Sequence, residues 1–326
     1  MGDYDTLFKR IFAVPANAAA ELRCVLPAVL LAALDLSRLE HIPGTFVGPD
    51  MAHRHTDLLF RVPLGGRLVY LYLLMEHQSR PDPLMPLRVL EYLQRVWSKL
   101  LRNERGRKTL PPVLTLIVHH GPGGWTAPRS LHEMVEGLDE FPQLRPFVPN
   151  LELLIDDLAH VSDSQLLARP LTPVPRVAIW LLRDGRKADA LLAHLPALSA
   201  ELHHVLLHAP DDARVFLRYI LQRTGPPSFD ELRRTILENV PAAEAPLASI
   251  ADQLRQEGVL EGLRQGTEQG RARALRDTLR SLLGQRFGAL DGTTSARIDA
   301  ADADQLQRLI GRVLSAASLG EVFEPH

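Results

Sequence analysis

Asp57 and Glu76 are the residues whose type and spacing point most directly to chemistry. The runs "HTDLLFRV" and "RLVYLYLLMEHQ" flank "PLGG". Both are rich in β-branched and aromatic residues, and Gly65-Gly66 can make the turn between them. With those glycines as a two-residue turn, Leu64 pairs with Arg67 and Asp57 lies opposite Leu74. Side chains alternate along a strand, so Leu74, Glu76 and Gln78 share a face with Asp57. Two carboxylates therefore converge from neighbouring strands, with Gln78 one step further along. Close carboxylates repel, and an unpaired charge at the end of a buried run is costly. A hard divalent cation removes both problems, and oxygen ligands with room for water suit Mg²⁺, or Mn²⁺ in its stead. The same pattern also fits a strand that leaves the core with its polar end solvated.

Other chemistry-bearing residues are weaker. His53, His55 and Asp57 alternate as HxHxD, but a zinc hydrolase of the metallo-β-lactamase type needs a further histidine where Leu58 stands. His119 and His120 end a strand and could reach a phosphate, although a surface histidine pair is the simpler expectation. His203 and His204 fall in an amphipathic helix and read as structural. There is no G-x-S-x-G, P-loop or Rossmann fingerprint.

The elements that must position Asp57 and Glu76 are legible around them. Residues 6–34 read as helices separated near Pro15 and Pro27. Residues 38–50 hold Pro43, Gly44, Gly48 and Pro49 and read as loop. After the hairpin and a Pro-rich break, "LRVLEYLQRVWSKLLRN" predicts an amphipathic helix. "PPVLTLIVHHG" has the length of a strand, and "NLELLIDDL" suggests one more. Beyond about residue 160 the pattern is helical, with Pro241 and Pro246 expected to mark a linker. The expected domains are therefore 1–160, an α/β core; 161–240, a helical extension; and 250–326, a small helical domain. In the last, Gly258, Gly262, Gly266 and Gly270 recur every four residues. The Glu, Gln and Arg between them exclude a membrane-helix dimer motif.

Composition bounds the class. The 326 residues are 46% apolar and 23% charged, which excludes a wholly disordered chain. The single cysteine, Cys24, excludes an internal disulfide framework and a cysteine-rich zinc site. The longest apolar stretch, Val25 to Leu36, is interrupted and short for a membrane span. With no secretory signal in view, the expectation is a cytoplasmic protein with no membrane partner. The net charge of −2 hides an asymmetry, because residues 1–120 sum to +4 and the remainder to −6. Arg88, Arg95, Lys99 and Arg102 stack on one face of the predicted helix, a strip that either meets a polyanion or is simply solvated.

"DTLFKRIF", "HTDLLFRV" and above all "YLLMEHQSRPDPLMPLRVLEYLQRVW" resemble the recombination-promoting nuclease (Rpn) family, also called the YhgA-like putative transposases, within the PD-(D/E)xK nuclease superfamily. The tail segments "LRSLLGQRFGAL", "RIDAADADQLQRL" and "SLGEVF" resemble a short helical domain often appended to it. The resemblance implies an α/β, restriction-endonuclease-like core with a mixed sheet flanked by helices, followed by an all-helical C-terminal region. It implies a Mg²⁺-dependent DNA endonuclease used in recombination or a mobile-element context. Carried over, Asp57 and Glu76 become metal ligands, and Gln78 takes the position usually held by lysine. Glutamine can orient a water by hydrogen bonding but offers no positive charge. Lys9 matches the "FK" of the family's first helix and is a candidate to support the site, with Glu21 of the same helical segment as a candidate accessory acid for the metal; the alternative for both is a plain surface position. Arg88, Arg95, Lys99 and Arg102 become DNA contacts, and the C-terminal helices a route to a homo-oligomer. A catalytically inactive module that keeps the fold, and binds nucleic acid or assembles protein partners, is the alternative.

Overall fold

The computed structural model describes residues 3–43, 56–76, 81–185, 188–224 and 227–324. The chain divides into two compact units, Met1–Ile250 and Ala251–His326. The first is built on a five-stranded sheet in the order β1 (Glu40–Ile42), β2 (Thr56–Leu64), β3 (Arg67–Glu76), β4 (Val113–His119), β5 (Leu154–Asp157). The first three strands are antiparallel neighbours, and β3–β4 and β4–β5 pair in parallel.

The hairpin forms as its sequence predicts. Gly65 and Gly66 take φ of +52° and +82°, left-handed values that a two-residue turn requires and glycine adopts without strain. Leu64 pairs with Arg67 and Asp57 with Leu74. The region expected to be loop before it contains β1, whose Glu40 pairs with Arg61 in the ladder and accepts two guanidinium hydrogen bonds of 2.8 Å.

Helices cover both faces. Before the sheet come α1 (Asp3–Phe12), α2 (Pro15–Val25) and α3 (Ala28–Ala33). Pro15 opens α2 at a position where no N–H is needed, and Pro27 precedes α3. Leu22 and Leu26 meet Phe60, Leu71, Leu116 and Leu154, alternate positions on four neighbouring strands. The crossover from β3 to β4 is α4 (Met85–Asn103), as a parallel pair demands. Its buried stripe, Met85, Val89, Tyr92, Leu93 and Val96, packs with Leu59, Tyr70, Ile117 and Leu153 on the opposite face. Being covered on both sides, β4 is a continuous apolar run rather than an alternating one.

The helices after β5 belong to the same unit. They are α5 (Asp163–Ala168), α6 (Pro173–Asp184), α7 (Ala188–His194), α8 (Ser199–His208), α9 (Pro210–Thr224) and α10 (Pro227–Asn239). The helix α6, buried almost all round, packs against α1, α2, α8 and α9. The stretch Asp189–His208 is apolar and, at 20 residues, long enough to cross a membrane. Here it is broken by a 3₁₀ turn at Leu195–Leu198, and Leu191, Leu195, Leu198, Leu202 and Leu206 lie in this helical core. The expected linker is instead ordered. Pro241 opens a 3₁₀ turn, Pro246 sits in the first turn of α11 (Glu244–Phe287), and Val240, Ala243 and Leu247 are buried.

In the second unit, the end of α11 packs with α12 (Gly292–Ala300), α13 (Ala303–Val313) and α14 (Leu319–Phe323) around Leu279, Leu283, Ile298 and Leu306. Gly258, Gly262, Gly266 and Gly270 have nothing within 4 Å of where a Cβ would be. Asp302 caps α13 with a reciprocal Gln305 bond. Asp302→Ala is expected to cost this unit about 1 kcal/mol, read as a lowered denaturation midpoint.

Candidate nucleic-acid-processing site

The register places Asp57 and Glu76 where the hairpin arithmetic requires. Asp57 pairs with Leu74, two positions before Glu76, so positions 57, 74 and 76 share the sheet face that α4 covers. Glu76 ends β3 beside His119 at the end of β4, and His119 pairs with Asp157 at the end of β5. One row of polar positions thus crosses the carboxyl ends of three parallel strands, where open α/β sheets bind ligands. Gln78, and the histidines 53 and 55 of the HxHxD reading, lie outside the described residues. Among the described residues, no group of three His, Cys, Asp or Glu is arranged to hold a metal ion.

The histidine pair is not at the surface. His119 is fully buried, edge-on to Trp125 with ring centroids 5.5 Å apart, and His120 is 2% exposed. His119 ends a strand covered on two sides and His120 follows it directly, which carries both inside. His120 borders a cavity of about 310 Å³ with Asp163, Arg183, Asp184 and His194. There Arg183 and His194 share both aspartates, and His194 stacks on Trp180 at 5.3 Å.

Glu21, expected as an accessory metal ligand, is placed on the other face. It is fully buried in α2, and its Oε1 accepts from Arg169 Nη1 at 3.1 Å. Arg169 also grips Asp156 of β5 through two bonds of 2.8 and 2.7 Å. Asp156 alternates with Asp157, so this cluster faces away from positions 57 and 76. One cation serves two buried carboxylates. Burial first, then the charge of Asp156, holds the Glu21 carboxyl well above its ordinary value. A proton on Glu21 lets it donate to Asp156, which gives a role to its Oε2, unpartnered among the described residues. Burial and the same Glu21 push the Cys24 thiol up to about 12, which makes it an inert thiol. No sequence signal marks this cluster, because Glu21 and Arg169 are 148 positions apart. Lys9 stands half-buried on α1, among Leu7, Phe8, Ile11 and Phe12, which fix that helix against the core.

The basic residues of α4 divide by environment. Arg88 is tied to Asp82 just before the helix. Arg95 is half-buried, and among the described residues its buried Nη1 has no hydrogen-bond partner. Lys99 is half-buried and Arg102 exposed near the helix end. A buried guanidinium N–H with no acceptor is costly unless an anion supplies one.

Residues 2–205 match the family described as "Putative transposase, YhgA-like". The chain is 26% identical over 258 residues to the inactive recombination-promoting nuclease-like protein RpnE of Escherichia coli K12, covering 78% of this chain and 82% of that one. It is 27% identical to the recombination-promoting nuclease RpnA of the same strain, covering 78% and 84%. It is 24% identical to RpnD of Escherichia coli O157:H7, covering 78% and 94%. No solved structure matches the chain.

Proposed function

The chain belongs to the YhgA-like putative transposase family, and from that membership we propose that it is a Mg²⁺-dependent DNA endonuclease with a restriction-endonuclease-like core. The observation that carries the reading is the register that sets Asp57 and Glu76 on one face of adjacent strands, at the end of the sheet covered by α4. Their oxygen donors fit a hard divalent cation. When bound, Mg²⁺ supplies Lewis-acid stabilisation of a scissile phosphate and acidifies a water. Asp57 and Glu76 hold that charge in place, Gln78 orients the water by hydrogen bonding, and Lys9 supports the site from α1. Glu21, committed to Arg169, has no part in the metal set. The α4 residues Arg95, Lys99 and Arg102, with Arg88 at the helix start, engage the DNA backbone. Relatives named as recombination-promoting nucleases support this reading and the recombination context proposed with it.

A second reading is favoured by RpnE, whose name declares it inactive. In it the fold binds nucleic acid or assembles protein partners without hydrolysis, the C-terminal helices joining copies of the chain. Nicking of supercoiled plasmid in Mg²⁺ but not EDTA supports the endonuclease. Salt-sensitive DNA binding with no nicking supports the second reading.

Arg95→Ala is expected to weaken DNA binding alike across sequences and to lower the slope of log K against log salt by about one. A slope equal to wild type would remove Arg95 from the interface.

A further inference from the structure

The row Glu76–His119–Asp157 does not end at the sheet edge. Asp157 is nearly buried, and its Oδ2 accepts from the Trp125 backbone N–H at 2.8 Å and from His160 Nδ1 at 2.7 Å. A carboxylate only accepts, so the Nδ1 bond fixes the proton there and turns Nε2 away from Asp157. The His160 side chain is 73% exposed, so that nitrogen faces solvent. The loop beneath is shaped to the pair. Gly124 has φ of +68°, and a Cβ on it would lie 2.0 Å from His160 Cε1 and 2.9 Å from Asp157 Oδ2. Only glycine lets this loop close on the dyad. A solvated surface histidine needs neither an oriented carboxylate nor a glycine floor.

We infer that His160, oriented by Asp157, contacts a backbone phosphate of bound nucleic acid that flanks the metal site. The inference rests on the nucleic-acid reading of the Asp57 and Glu76 face. Asp157 pairs with His119 and His119 with Glu76, so it stands two strand spacings, or about 10 Å, from the end of β3. Phosphates of one DNA strand follow every ~3.4 Å of helix axis, so the group contacted lies a few nucleotides from the one at the metal. When the ring carries its second proton, the Nε2–H donates to a phosphate oxygen while Asp157 accepts from Nδ1 on the other side. His160 is a contact residue and Asp157 its positioning residue.

The test uses the full chain carrying Asp57→Asn, so that DNA is bound and not cut, with duplex DNA titrated at several salt concentrations at about pH 5.5, below the ordinary imidazole value. Adding His160→Ala is expected to lower the slope of log K against log salt by about one, with the thermal midpoint unchanged. His160→Lys, which restores a cation without the imidazole, is expected to recover the slope. A slope untouched by His160→Ala, or not recovered by lysine, overturns the phosphate contact while leaving the nucleic-acid reading in place. Failure of the Asp57→Asn parent to bind DNA at low salt overturns both.

Discussion

Asp57→Ala should lower Mg²⁺ affinity and Mg²⁺-dependent DNA cleavage by more than about 100-fold. Replacing groups that merely orient a metal's ligands costs about 10–100-fold, and here a ligand itself is removed. Asp57 lies near the start of β2, paired with Leu74. The hydrophobic anchors of that strand, Leu58, Leu59, Phe60 and Val62, are buried beyond it and remain in place. The variant should therefore fold, and its thermal midpoint in EDTA should match wild type. Calorimetric titration with Mg²⁺ checks the affinity and a cleavage time course checks the rate. Undiminished Mg²⁺ affinity would remove Asp57 from the ligand set.

Arg169→Ala should instead unfold the protein or bring it close to unfolding. The guanidinium is 12% exposed and is the cation shared by Glu21 and Asp156, which are 0% and 6% exposed. Removing one member of a buried ion pair typically costs about 3–5 kcal/mol, because the partner's charge is left uncompensated. Here Asp156 is left with that charge, and the protonated Glu21 loses the donor to its Oε1. The cluster joins α2, β5 and the segment after α5, so its loss loosens one whole face of the sheet. Chemical denaturation measures the effect. A loss below about 1 kcal/mol would mean the carboxylates find other partners.

The same cluster sets a pH dependence of known sign. The Glu21 carboxyl is raised well above 4.5, chiefly by burial, so the folded state holds a proton that the unfolded state releases. Stability from this group is fully present below 4.5 and is lost as pH rises through the raised folded value. Glu21→Gln carries the amide equivalent of the protonated acid, so it should flatten stability against pH above 4.5. An unchanged slope would place the proton elsewhere.

How far the sequence discloses this structure depends on how local each feature is. The hairpin and its register were readable because alternation and a Gly-Gly turn leave one pairing that buries the apolar face. The crossover helix was readable for the same reason, through its 3.6-residue period. The short strand β1 was not, since three residues amid prolines and glycines carry no period and form a strand only because Arg61 and its neighbours lie beside them. Burial of His119 and His120 depends on β5 and on the Trp125 loop, both later in the chain. The pairing of Glu21 with Arg169 is set wholly by how α2 and the segment after α5 meet β5. The Asp157–His160 pair carries no sequence signal, and only the Gly124 loop distinguishes it.

The most direct measurement is nicking of supercoiled plasmid by the purified full chain in Mg²⁺ and in EDTA, with Asp57→Ala alongside. Nicked circles in Mg²⁺, none in EDTA and none from the variant are the expected result. Intact plasmid under every metal condition, with DNA binding retained, would contradict the endonuclease and leave a nucleic-acid-binding module in its place.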